Sequence, residues 1–284
     1  CWILTGVALN RGENTCLSDI MLSIQTEIPP SIQTNSIVLT AELGKGAWCS
    51  IWNVAARKNL TEPFRLQPSQ ACDLRHGFSV FVNFFPGMKE TISRLEESIL
   101  TEHLGKVEQN SALTFTDQYL STAGQIYFLA SGKYRLVADF RAYLGKLLQD
   151  NDKEFSLCCH PYDLSTWLIL AEAGGIISEI DGKKLSYPLD TETNCSWLGY
   201  ANSMITTRLD PIIQKELLKL TSKSKLEKKA NEYGITQSAN VMSTGEYRYH
   251  WSSNDGSGFI CSIASSEGLW QNAHYHKYAR EIIV

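Results

Sequence analysis

From Phe78 to Ile180 the chain alternates short apolar runs with stretches whose apolar residues recur every three or four positions, and no other feature restricts its fold as much. Phe78–Phe85, bounded by Gly77 and Pro86, reads as a buried strand. Lys89–Leu104 follows as a helix with Ile92, Leu95, Ile99 and Leu100 at helical spacing. Thr122–Ala130 reads as a second helix stopped by Gly132, and Tyr134–Phe140 as a strand. After a polar connector, Asp163–Ala173 carries Leu164, Trp167, Leu168 and Ala171 on one face and stops at Gly174-Gly175. Ile176–Ile180 is then a strand that turns at Asp181-Gly182. Upstream, Trp2–Leu9, Asp19–Thr26, Ser36–Ala41 and Ala47–Val54 read as strands punctuated by Asn10-Arg11-Gly12 and Gly44-Lys45-Gly46, and 62–70 is polar and irregular. Strands and helices that alternate in this way must bury their apolar faces against one another, which predicts a layered α/β or α+β domain.

The last part of the chain changes character. Asp210–Leu220 reads as the terminal helix of the first domain, taken as residues 1–220, and 221–240 as a linker. The five lysines between Lys219 and Lys229 have no apolar stripe beside them, so they read as a solvated helix end. From Gly245 the composition turns to Tyr, Trp, Ser and Gly, with strands expected at Tyr247–Trp251, Gly258–Ala264 and Tyr278–Val284, so 241–284 reads as the opening of an all-β domain.

At 284 residues, with 43% hydrophobic and 20% charged side chains, the composition is that of about two globular domains. A formal net charge of -4 gives neither a nucleic-acid polymer nor an anionic membrane an electrostatic reason to bind, which leaves a small molecule as the expected partner. No apolar run reaches the roughly 20 residues that cross a bilayer. The eight cysteines form no CxxC pair and no zinc-finger quartet, and they read as reduced thiols of a cytoplasmic protein rather than a secreted disulfide framework. A homodimer is the expected form of any self-association.

The residue type that draws attention is Asp163, in His160-Pro161-Tyr162-Asp163, just before an apolar helix. Asp there can be an N-cap, accepting a hydrogen bond from an orphaned helix N–H. It can equally face a cleft and bind a hard cation while the helix start holds an anion beside it. The spacing leaves both readings open.

Tyr162-Asp163, the apolar helix, Glu172-Ala173-Gly174-Gly175, a strand and Asp181-Gly182-Lys183-Lys184-Leu185 together resemble the C-terminal signature of the inositol monophosphatase family. In that family the pattern is a W-D pair, a small-residue helix, E-A-G-G and a strand ending in D-G-x-x-L. Gly44-Lys45-Gly46-Ala47 looks like the family's G-x-G-A hairpin, Ala130-Ser131-Gly132 like its A-x-G turn, and Gly199-Tyr200-Ala201-Asn202 like the strand before its last helix. The resemblance spans about residues 1–220. It implies a layered phosphatase sandwich that uses Mg2+ to activate water and stabilise the leaving oxygen of a phosphate monoester of an inositol, sugar or nucleotide. It places Asp163 as catalytic and metal-binding, Ser121 and Thr122 on the substrate phosphate, and Asp139 near a substrate hydroxyl. Read without the family, Ser121 and Thr122 are equally a helix N-terminus, and Asp139 a strand-end carboxylate.

The chain also departs from the family. Tyr162 stands where the family has Trp, and the D-P-I-D-G-T motif with its upstream metal-binding Glu occurs nowhere in the sequence. Metal-assisted phosphoryl chemistry needs several carboxylates converging on the cations. The expectation is therefore that the chain begins just after that motif and is itself inactive, its intact parent being the hydrolase. The alternative is a non-catalytic module that binds a sugar or a metal and regulates.

At the C-terminus, Gly268, His274, His276 and Glu281 have the spacing G-x5-H-x-H-x4-E. Histidines two apart on a strand share a face and can reach one metal. The spacing resembles the first motif of the cupin superfamily, which implies a partial β-barrel with His274, His276 and Glu281 as ligands to Mn, Fe, Zn or Ni. Surface residues of a strand are the other reading.

Overall fold

The computed structural model describes residues 1–106, 110–148, 157–232, 235–241, 247–253, 258–263 and 270–274, with side chains as far as Ser224. The chain divides into two compact units, Cys1–Glu216 and Leu217–Val284.

The first unit opens with an antiparallel sheet. Strands β1 (Trp2–Ala8), β2 (Ile20–Glu27), β3 (Asn35–Glu42), β4 (Gly46–Asn53) and β5 (Lys58–Asn59) pair in sequence order, and β6 (Phe64–Arg65) also pairs with β4. Tight connections make neighbours in sequence neighbours in the sheet. The inner face carries Leu39, Ala41, Ala47 and Cys49, all buried. One position on β1 has no room for a side chain: a Cβ on Gly6 would lie 2.8 Å from the Ser165 carbonyl oxygen. That contact brings the turn after Asp163 down onto the sheet, and the Ser23 hydroxyl fixes it by donating to the same carbonyl at 3.1 Å.

The rest of the unit runs β7 (Phe78–Phe81), α1 (Lys89–Leu104), α2 (Thr122–Ala130), β8 (Tyr134–Asp139), α3 (Arg141–Leu148), a 3-10 turn at Pro161–Leu164, α4 (Leu168–Ala173), β9 (Ile176–Glu179), β10 (Trp197–Tyr200) and α5 (Ser203–Glu232). The second sheet has the order β7-β8-β10-β9, with β7 and β8 parallel and the other pairs antiparallel. Helices α2 and α4 lie between the two sheets, touching β1 to β4 on one side and β8 to β10 on the other. Their layer holds the largest core, in which Ile126, Leu129, Leu168, Ile169, Leu170, Val137 and Trp197 are all fully or almost fully buried. Each such side chain contributes about 1.5–3 kcal/mol of transfer free energy. Helix α1 packs on β7 and is tied to α5 where Ser98 donates to Glu216 at 2.8 Å and Lys215 to Glu102 at 2.9 Å. The unit is thus a mixed α/β fold of alternating sheet and helix layers, as the alternating pattern predicts.

Several elements differ from the sequence reading. The helix expected over Asp163–Ala173 is a 3-10 turn, a bend and a shorter α4, because Ser165 and Thr166 spend their groups on the sheet and on Gln25 rather than on a continuous helical ladder. The strand expected over Phe78–Phe85 stops at Phe81. The connector after Phe140 contains α3. Helix α5 starts seven residues before Asp210 because Asn202 caps it: its Oδ1 accepts from Ile205 N at 3.0 Å, while its Nδ2 donates to the carbonyls of Ser69 and Ala71. Pro211 is accommodated inside, and the helix continues through 221–232, where a linker was expected.

In the second unit, β11 (Ile235–Val241), β12 (Tyr247–Ser253), β13 (Gly258–Ile263) and β14 (Trp270–His274) form an antiparallel meander in sequence order. The described strands close no barrel, so nothing in them supports the cupin-like reading of 241–284, and the sheet begins at Ile235 rather than after residue 240. His274 is the last residue of β14, opposite Ile260, whereas His276, Glu281 and the strand expected at Tyr278–Val284 lie outside the described residues. No described helix is long and apolar enough to cross a membrane.

Candidate functional site

Side by side and parallel, β7 and β8 deliver their carboxyl ends to one edge of the second sheet, the place where α/β sheets open a crevice for ligands. From β7 the chain continues into Asn83, Phe84 and Phe85, and from β8 into Asp139, Phe140 and Arg141. Only a three-residue turn joins α2 to β8, against which it packs, so the start of α2 returns to the same edge. The family resemblance names Ser121, Thr122, Asp139 and Asp163, and the fold gathers all four at this end of the layer.

Asp139 is fully buried, and both its oxygens are taken by one neighbour. Arg141 donates from Nε to Oδ1 at 2.8 Å and from Nη2 to Oδ2 at 2.6 Å, and its backbone N–H adds a third bond to Oδ1 at 3.2 Å. The same guanidinium reaches the Leu157 carbonyl through Nη1 at 2.7 Å and lies 4.8 Å above the Phe84 ring. Arg141 is only 5% exposed. Burial opposes its charge, but the hydrogen bonds and attraction of Asp139 outweigh that penalty and hold the guanidinium protonated more firmly than usual. A bidentate pair of this kind satisfies two buried charges at once.

The second carboxylate is held more loosely. Asp163 accepts from the His160 backbone N–H at 3.0 Å through Oδ2, with the His160 ring Nδ1 3.9 Å from the same oxygen. Its side chain is 35% exposed. Partial burial raises its pKa above the ordinary carboxylate value, the His160 N–H, His160 and Arg141 oppose that shift, and the charge of Asp139 adds to it. The His160 ring stacks on Tyr162 at 5.1 Å between centroids, so the residue in the place of the family's Trp keeps an aromatic face there. Asp163 occupies the third position of its 3-10 turn and bonds back to His160, so it works within the cap rather than as the N-cap residue itself.

Cys159 marks where these groups meet. Its thiol is 1% exposed, accepts from the Thr122 hydroxyl at 3.7 Å, and is pushed well above its usual pKa by burial, then by Asp139 and Asp163. A thiol held neutral in this way is no nucleophile. Ser121 is the N-cap of α2, its hydroxyl accepting from Gly124 N at 3.4 Å. Its cap reading is therefore realised, and Thr122 turns its hydroxyl to the thiol. Asp139 ends its strand as the bare residue preference suggests, but with a partner that the spacing did not reveal.

Two further residues escaped sequence reasoning. Arg141 is one; an Asp-x-Arg pair at a strand end signals it only weakly. The other is Glu172 of the E-A-G-G stretch, whose two oxygens accept from Gly44 N at 2.8 Å and Gly46 N at 2.7 Å. Positive φ at both glycines, 77° and 84°, turns these amides inward, and the clasp fastens the end of α4 to the β3–β4 hairpin. Both motifs are visible in the sequence, but their contact is not. A buried network completes the support, with Thr166 donating to Gln25 Oε1 at 2.9 Å and Gln25 Nε2 to the Ala123 carbonyl at 2.8 Å.

The Mg2+ implied by the family resemblance does not fit what these residues build. Among the described residues no three His, Cys, Asp or Glu side chains stand close enough to hold a metal ion. Asp139 has spent both oxygens on Arg141 and Asp163 stands alone.

No protein-family model matches the chain, and no curated protein sequence does. Among solved structures, a hypothetical protein from Pyrococcus horikoshii with similarities to inositol-1 monophosphatase is similar at 16% identity and a TM-score of 0.41, over 69% of this chain and 57% of its own. The 2'AMP-bound SaIMPase-II is similar at 15% identity and TM-score 0.42, over 72% and 62%. Leishmania major fructose-1,6-bisphosphatase in its apo form is similar at 13% and 0.43, over 70% and 57%. The chain spans less than two thirds of the length of each of these proteins.

Proposed function

We propose that the crevice at the ends of β7 and β8 receives a small phosphate monoester of an inositol, sugar or nucleotide, and that this chain binds such an ester without hydrolysing it. The motif series around Asp163 supports the ligand class. The donor set carries the second half, because among the described residues no three His, Cys, Asp or Glu side chains stand close enough to hold a metal ion. Asp139, which the resemblance sets near a substrate hydroxyl, has both oxygens taken by Arg141. The start of α2 supplies backbone N–H groups and the dipole end that favour an anion, with Thr122 beside them. The test is calorimetric titration of a panel of inositol, sugar and nucleotide monophosphates, with phosphate release followed in the same samples. Saturable binding without release is the expected result. Steady release that depends on Mg2+ and disappears in Asp163→Asn would overturn it.

One observation favours a second reading, Mg-dependent hydrolysis in a longer protein. Asp163 keeps an oxygen clear of His160 and is partly open to solvent, so carboxylates supplied alongside it could share a cation with it. A form extended to include D-P-I-D-G-T and its partner Glu would then release phosphate where the present chain does not.

A further inference from the structure

We infer that the outer face of the first sheet is a self-association surface, on which a second copy of this chain packs its own first sheet about a two-fold axis. The inference stands apart from the crevice reading and would survive its failure.

The register decides which side chains share that face. Leu39, Ala41, Ala47 and Cys49 point inward, into the core they share with α2 and α4, the helices that pack on this sheet among the described residues. Side chains alternate across a strand, so the residues between them point outward. Ile24 pairs with Thr40 and Thr40 with Trp48, which makes one outward row, and Ile3, Thr26 and Val38 make the next. An antiparallel sheet with one face in water ordinarily turns polar residues outward. Here β1 to β4 place no charge in either row, and only threonines and a serine interrupt the apolar side chains. On the outermost strand Ile3 is 55% and Val7 49% exposed. Charge begins at the margins, where Glu42 pairs with Lys45 and the Arg65 guanidinium lies over the Trp48 ring at 4.8 Å. An apolar centre with a polar rim is the anatomy of a protein interface.

Symmetry and area select a second copy as the occupant. A two-fold axis sets a patch against itself, so any charge on it meets its like, and a neutral face carries no such penalty. A charged partner would find nothing to pair with in the two rows. Packed sheets lie about 10 Å apart with their strands about 30° from alignment, a geometry that two copies of one twisted sheet satisfy. Four strands about 4.8 Å apart and about 25 Å long present roughly 480 Å2 of face. Two copies then bury about 1,000 Å2, the lower bound for a specific interface, which predicts a reversible dimer rather than an obligate one.

The experiment is sedimentation velocity of the full chain over the micromolar range, with circular dichroism as the check on folding. The wild type is expected to shift from monomer to dimer as its concentration rises. Thr40→Lys places a charge in the neutral centre of both copies and should weaken the dimer at least tenfold. Ile3→Lys, at a position already half-exposed, should weaken it too and decides in its place should Thr40→Lys fail to fold. Met204→Lys, on α5 and 46% exposed, is the control that should leave association unchanged. A wild type that stays monomeric throughout overturns the inference. A dimer that a folded Thr40→Lys leaves intact overturns it as well and puts the contact elsewhere, as does one that Met204→Lys weakens equally.

Discussion

The two candidate carboxylates, one at the end of β8 and one in the turn before α4, are handled in opposite ways. At the end of β8, Asp139 is sealed from solvent and compensated in full by a side chain two residues on. In the turn before α4, Asp163 keeps part of its surface and has a backbone N–H where Asp139 has a guanidinium. The contrast shows that position at the end of a strand or helix layer does not by itself make a carboxylate available. What decides is whether the chain has already spent its charge.

Breaking the sealed side should cost most. Arg141→Ala leaves Asp139 buried and unpaired, and the loss of one partner of a buried ion pair typically costs about 3–5 kcal/mol. Urea unfolding should show that loss, while the same measurement on Asp163→Asn should show less than about 1 kcal/mol in either direction, in line with a partly exposed group. Equal losses at the two positions would erase the distinction.

Next comes the scaffold that fixes the open side. Glu172→Ala removes an acceptor from two glycine amides of the β3–β4 turn and should cost about 1–3 kcal/mol. Hydrogen exchange should accelerate at Gly44 and Gly46 while the Asp139–Arg141 end stays protected. Acceleration at both ends would mean that the two halves of the crevice form one unit.

The smallest effect concerns pH. Because the folded protein raises the pKa of Asp163, it binds the Asp163 proton more tightly than the unfolded chain does. That contribution to stability is therefore present at low pH and is lost as pH rises from the ordinary carboxylate value of 3.8 through the folded value. Asp163→Asn removes this slope, so the difference between variant and wild type should favour the variant at neutral pH and vanish in acid. A difference that grows in acid would reverse the sign of the electrostatics described for this residue.

Much of the layered fold is legible in the sequence because its elements carry clean periodicities. Helix α1 is bounded at Lys89 and Leu104 by its apolar spacing and by the glycine after it, and β1 to β4 follow the alternation and turn residues between them. Legibility fails where side chains spend their hydrogen bonds at long range. Thr166 and Ser165 look helical in sequence but are committed to Gln25 and to the sheet, and Asn202 starts α5 early because its amide binds the backbone around Ser69. Residues 235–240 read as the end of the linker because Thr, Gln, Ser and Asn interrupt their apolar positions, and with Val241 they form β11 through ladder bonds to β12. The site was half legible. Motif order points to Asp163, Thr122 and Asp139 as candidates, but the Arg141 grip on Asp139 and the Glu172 clasp on Gly44 and Gly46 are contacts that no spacing encodes.

The most direct test of the account is a single phosphorus NMR series, in which an inositol or sugar monophosphate is mixed with the chain in EDTA and then with excess Mg2+. The account predicts an ester resonance that broadens and shifts on binding, equally in both buffers, with no inorganic phosphate appearing over hours. An inorganic phosphate resonance that grows only after Mg2+ is added would contradict it, and would mean that Asp139 or Asp163 is free to serve a metal after all.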